Sequence, residues 1–165
     1  MNIKEVLEQA IINLKENNIE EPINKARRIL AYVLNVDKQY LIINDTKELD
    51  KTYIEKYTAY IKRLNLGEPI QYIIEKQEFM GIDFFVNKNV LIPQPDTEIL
   101  VEKSIEILKE YNKPIVLDLC TGSGAIAVSI AKNVPNAEIY ASDISLEALK
   151  IAKLNDNPID NQPVG

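Results

Sequence analysis

"PIVLDLCTGSGAIAVSIAK" (residues 114–132) is the stretch whose reading decides the fold. Its run Ile115–Leu119 is nearly all apolar, short and closed off by Cys-Thr-Gly-Ser-Gly, so it reads as a parallel strand covered on both faces. A helix is expected over 124–134, then a strand in "AEIYAS" (137–142) and a helix in "SLEALKIAKLN" (145–155). This β-α-β-α series predicts a parallel sheet of α/β type. Upstream, "QPDTEILVEKSIEILKEYNKP" (94–114) predicts a helix with Asp96 or Thr97 near its cap and Pro114 after its end. Its inward face should carry Leu100, Val101, Ser104, Ile105 and Leu108.

The preceding residues have a different rhythm. Ile3, Val6, Leu7, Ala10, Ile11 and Leu14 recur at three- and four-residue steps, as do Ile23, Ala26, Leu30, Val33 and Leu34 after Pro22. A short piece follows around "DKQYLIIN", and a longer helix is expected from about Asp50 to Leu64. Its stripe of Tyr53, Tyr57, Tyr60, Ile61 and Leu64 reads as core packing rather than as a docking face. At Gly67 glycine and proline interrupt the pattern, and "QEFMGIDFFV" alternates as two short strands turning near Gly81. The expected organisation is a helical bundle over 1–66, a hairpin linker over 67–92 and an α/β domain over 93–165.

Absences narrow the chemistry. With no histidine and a single cysteine, Cys120, the chain cannot build a Ser-His-Asp triad, a Cys-His pair, a zinc cluster or an internal disulfide. Without an imidazole to activate it, Cys120 reads as a small buried packing residue and not as a nucleophile. The formal charge of −6 lies beyond residue 73, since the first 73 residues are balanced. That distribution argues against direct nucleic-acid binding. No apolar run approaches the roughly 18 residues of a spanning helix, and the first residues lack a signal peptide's apolar stretch, so a cytoplasmic protein is expected.

The turn after the first parallel strand suits a nucleoside cofactor. Gly122 and Gly124 let the backbone bend and approach a ligand, and the next helix presents free N–H groups. A P-loop is excluded because no Gly-Lys-Ser/Thr follows the turn. Gly122-x-Gly124-x-x-Ala127 matches a dinucleotide fingerprint, which keeps an NAD site open. Asp118, four residues before Gly122, favours instead the Asp-x-x-x-Gly-x-Gly loop of S-adenosylmethionine-dependent methyltransferases. Asp143, at the end of the second strand, can accept hydrogen bonds from two ribose hydroxyls in either case.

Three blocks, "GEPIQYIIEKQEFMGIDFFV" (67–86), "LIPQPDTEILVE" (91–102) and "VLDLCTGSGAIAVSIAK" (116–132), with "ASDIS" (141–145), resemble the release factor glutamine methyltransferases over roughly residues 1–155. The resemblance implies an N-terminal helical substrate-recognition domain, a β-hairpin linker and the first half of a Rossmann-like methyltransferase domain. It implies methylation of the glutamine side-chain nitrogen in the GGQ loop of peptide chain release factors, with S-adenosylmethionine as donor and no metal. Carried over by position, Cys120, Thr121, Gly122, Ser123 and Gly124 would line the cofactor, Asp143 would hold its ribose, and Asp118 would sit near its methionine end.

Three departures bear on activity. Cys120 stands where many members have glycine, a small change for the turn, and Gln94 stands where many have arginine. The family's Asn-Pro-Pro-Tyr loop, which grips the target amide, is missing: Asn157-Pro158 is followed by Ile159 and Asp160. No catalytic residue is therefore assigned, and a fragment inactive on its own is expected. Two alternatives stay open, a protein-binding helical module with a vestigial half-fold and a piece of an NAD-binding oxidoreductase.

Overall fold

The structure, a computed structural model, describes residues 1–156. Asn157-Pro158 and the residues after it lie outside the described part. The chain divides into two compact units, Met1–Ile74 and Glu75 onward.

The first unit is all helical: α1 (Ile3–Glu16), α2 (Pro22–Leu34), α3 (Lys38–Ile43), α4 (Lys51–Asn65) and α5 (Ile70–Ile73). Asn2 opens α1 with a capping box, its Oδ1 accepting from Glu5 N at 2.9 Å while Asn2 N donates to Glu5 Oε2 at 3.0 Å. The apolar steps then meet in one core in which Ile3, Leu14, Ile29, Leu30 and Tyr57 are essentially inaccessible. Tyr57 donates its hydroxyl to the carbonyl of Ala26 at 3.2 Å, and burial pushes its phenol above the ordinary value. Of the tyrosine stripe, Tyr57 is core and Tyr60 is half-buried, while Tyr53 is exposed. The short α5 was not anticipated. Because Ile70, Ile73 and Ile74 join the helical core, this unit runs to Ile74 rather than stopping near residue 66.

The second unit begins with β1 (Lys76–Phe79) and β2 (Ile82–Phe85), an antiparallel hairpin with Phe79 opposite Ile82. Met80 and Gly81 both have positive φ, 52° and 68°, as a tight two-residue hairpin turn requires. Phe79 and Phe84 are buried and meet edge to face at 6.1 Å. Met80 N donates to Glu98 Oε1 at 2.7 Å, which ties the hairpin turn to α6 (Asp96–Leu108).

From α6 the chain runs through β3 (Ile115–Leu119), α7 (Ala125–Asn133), β4 (Glu138–Ser142) and α8 (Leu146–Asp156). The strands pair in parallel from Ile115↔Glu138 to Leu119↔Ser142. Two expectations need correction. Leu100, expected on the inward face of α6, is exposed because it lies at the edge of that face, while Val101 and Ile105 are buried and Ser104 and Leu108 half-buried as expected. β3 is covered on one face only: Asp118 is buried, but Ile115, Leu117 and Leu119 on the other face are 71%, 62% and 66% exposed among the described residues.

Candidate cofactor site

The turn between β3 and α7 is wound by residues with left-handed backbone. Cys120, Gly122 and Gly124 have φ of 61°, 56° and 79°. At Gly124 there is a second demand, since a Cβ would lie 3.1 Å from both Cα and Cβ of Ala152 in α8. Only hydrogen allows α7 to start this close to α8. At Gly122 a Cβ would meet nothing within 4 Å, so glycine leaves that side of the turn open.

Hydrogen bonds fix the loop from beneath. Thr121 N donates to Ser142 O and Gly124 N to Thr121 O, each at 2.9 Å. The Thr121 hydroxyl donates to Asp118 Oδ2 at 2.7 Å, with both residues buried. No side chain caps α7, so the first-turn N–H groups that a helix cannot satisfy internally face the turn without a side-chain acceptor.

Asp143 closes the site from the end of β4. Its Oδ2 accepts from Gly122 N and its Oδ1 from Ser145 N, both at 2.9 Å. The N–H groups of Ser145 and Gly122 hold its carboxyl below the ordinary carboxylate value, against a smaller opposing effect of desolvation. An ionised carboxylate offers about four lone-pair positions, so this one keeps acceptor capacity beyond its two backbone partners. Next to it Ile144 is fully exposed, an apolar surface that spacing alone did not single out. α8 follows at once, with Ser145 Oγ accepting from Ala148 N at 3.2 Å.

The residues singled out by sequence thus play unequal parts. Cys120 is exposed, Gly122 and Asp143 are half-buried, and Thr121 and Ser123 are buried. Cys120 is therefore not the buried packing residue expected. Nor is it a costless stand-in for glycine, because its φ lies where an L-residue is disfavoured by roughly 1–2 kcal/mol. Gln94 is exposed and donates from Nε2 to Ile92 O at 2.9 Å, within its own loop. Among the described residues no group of three or more Cys, Asp or Glu side chains could hold a metal, and no helix is long and apolar enough to cross a membrane.

Sequence comparison gives these units a family. A profile described as the PrmC N-terminal domain matches residues 5–74, and one described as a methyltransferase small domain matches residues 95–162. A release factor glutamine methyltransferase of Clostridium acetobutylicum is 46% identical over 155 residues, which cover 94% of this chain and 54% of that protein. The chain belongs to the release factor glutamine methyltransferase family. Another member, from Koribacter versatilis, is 39% identical over 162 residues, 98% of this chain and 58% of its own. A bifunctional methyltransferase of Rickettsia felis is 37% identical over 183 aligned residues, 93% of this chain and 34% of its own. The chain spans about half the length of the release factor enzymes it matches.

Residues that spacing did not reveal also shape the site. Asn155, in the last turn of α8, is buried and reaches the carbonyl of Ser123 at 2.8 Å. Nothing in its local sequence marks it, since its partner lies 32 residues away.

Proposed function

We propose that the Cys120–Gly124 turn and Asp143 hold S-adenosylmethionine, in a cytoplasmic protein that methylates the glutamine side-chain nitrogen of the GGQ loop of peptide chain release factors. The bond between the Asp143 carboxylate and Gly122 N carries the cofactor reading. It keeps an ionised acceptor beside a turn whose open side has room for a ligand, and Ile144 adds an exposed apolar surface for an adenine ring. Asp143 would accept from the ribose hydroxyls, and the backbone of Gly122 to Gly124 would border the methionine part.

When bound, the cofactor supplies an electrophilic methyl group on a sulfonium. The chain's own residues would bind and orient it. The target amide is a weak nucleophile because its lone pair is delocalised into the carbonyl, so alignment matters more than proton transfer. Residues 1–165 contain no Asn-Pro-Pro-Tyr to hold that amide, and methyl transfer by this chain alone is expected to be undetectable. The helical unit would grip the release factor away from the reacting nitrogen, where binding energy can be used to position it.

Calorimetric titration of the chain tests the cofactor assignment. Adenosylmethionine should bind and NAD should not; a preference for NAD, or no binding of either, overturns it.

A further inference from the structure

Asn155 makes three hydrogen bonds from one buried side chain that is 5% exposed. Its Oδ1 accepts from Phe85 N at 2.8 Å, and its Nδ2 donates to Phe85 O at 3.0 Å and to Ser123 O at 2.8 Å. One N–H and two carbonyls surround the amide, which fixes its orientation and uses both its donors. Towards Phe85 it behaves like a neighbouring strand, satisfying N–H and C=O of one residue on an edge of β2. Towards Ser123 it holds the carbonyl between the two glycines of the turn. A side chain on α8 therefore joins the hairpin to the loop, across 70 residues on one side and 32 on the other.

We infer that Asn155 is a positioning residue that couples the β1–β2 hairpin to cofactor occupancy of the Cys120–Gly124 turn. This rests on the cofactor assignment proposed above. A ligand that orders the turn restrains Ser123 O, and the shared amide passes that restraint to Phe85. Because coupling is reciprocal, an ordered hairpin raises cofactor affinity by the same factor. The hairpin then belongs to the cofactor site although none of its residues borders the turn by spacing.

Amide hydrogen exchange resolved by residue tests this on the full chain with and without adenosylmethionine. In the wild type, cofactor should slow exchange at Gly122 and Gly124 and also at Phe85. Asn155→Asp keeps an acceptor for Phe85 N but sets lone pairs against two carbonyl oxygens. In this variant slowing at Phe85 should vanish while slowing at the turn remains, and affinity should fall roughly tenfold, the equivalent of one to two lost hydrogen bonds. A role confined to stability would raise exchange at Phe85 in both states and leave its response to cofactor intact, which would overturn the inference. The wild-type measurement decides even if the variant does not fold: protection of the turn with none at Phe85 refutes coupling. Protection at neither site refutes the cofactor assignment, and the coupling with it.

Discussion

Replacing Gly124 by alanine probes the point where the cofactor turn, α7 and α8 converge. The new methyl group would sit at φ +79° and 3.1 Å from the Cα and Cβ of Ala152, atoms that cannot swing aside as the end of a long side chain could. The left-handed backbone contributes about 1 kcal/mol, and forcing α7 from α8 about 1–3 kcal/mol more. The sum of about 2–4 kcal/mol is large beside the 5–15 kcal/mol that stabilises a typical domain. Gly122→Ala shares the backbone term at φ +56° but meets nothing within 4 Å, so it should cost no more than about 1 kcal/mol. Its methyl group would instead intrude on the open side and weaken adenosylmethionine. Cys120→Gly works in the opposite direction: it relieves the strain at φ 61° and returns part of the gain as unfolded-state entropy, for a net stabilisation of about 0.5 kcal/mol. Urea unfolding followed by hydrogen exchange in segments from β3 to α8 measures all three. If Gly124→Ala were no more destabilising than Gly122→Ala, the close approach of the helices would not be what demands glycine, and the reasoning would fail.

Other outcomes follow from the same contacts. Asp143→Ala should weaken adenosylmethionine about tenfold or more in calorimetry and speed exchange at Gly122, whose N–H loses its acceptor. Since the folded carboxyl lies below its ordinary value, its stabilising effect is present above that value and is lost only as pH falls through the lowered one; affinity should therefore hold between pH 7 and 5 as far as Asp143 is concerned. Tyr57→Phe should destabilise the helical unit by about 1 kcal/mol at neutral pH by removing the buried hydroxyl's bond to Ala26 O. With the folded phenol raised, wild-type stability is intact below pH 10 and declines above it as the unfolded tyrosine ionises, and the variant should lack that contribution in alkaline melts. Deleting the residues that correspond to 1–74 from a full-length relative should reduce methylation of an intact release factor more than of a short GGQ peptide, and equal losses would argue against docking by the helices.

The strand, turn and helix from Ile115 to Asn133 were legible because an apolar run, two glycines and small helical residues follow one another without interruption. The hairpin was legible from Gly81, and the helical core from its three- and four-residue steps. What stayed hidden depended on distant partners or on local geometry. Asn155 is an ordinary polar residue near a helix end until α8 folds against Phe85 and Ser123. Cys120 gives no hint of its left-handed φ, because that conformation is imposed by the turn on either side. Ile70–Ile73 is too short to show a helical period. The nearly unbroken apolar run of β3 suggests two covered faces, and nothing within those five residues says that Ile115, Leu117 and Leu119 are the ones left exposed.

The division of the chain at Ile74 also gives folding an order. All the core residues of the first unit come from one continuous stretch, so its helices can pack as soon as Ile74 is available. Its packing joins α1, α2 and α4 within those 74 residues, and helical bundles are the topology that reaches its native state fastest. β3 must instead wait for β4, a parallel partner separated from it by the whole of α7, before either strand has a ladder. During that interval Ile115, Leu117 and Leu119 have neither a neighbour strand nor cover on their exposed face, so the chain passes through a stage in which a finished helical unit carries a sticky, unpaired β3.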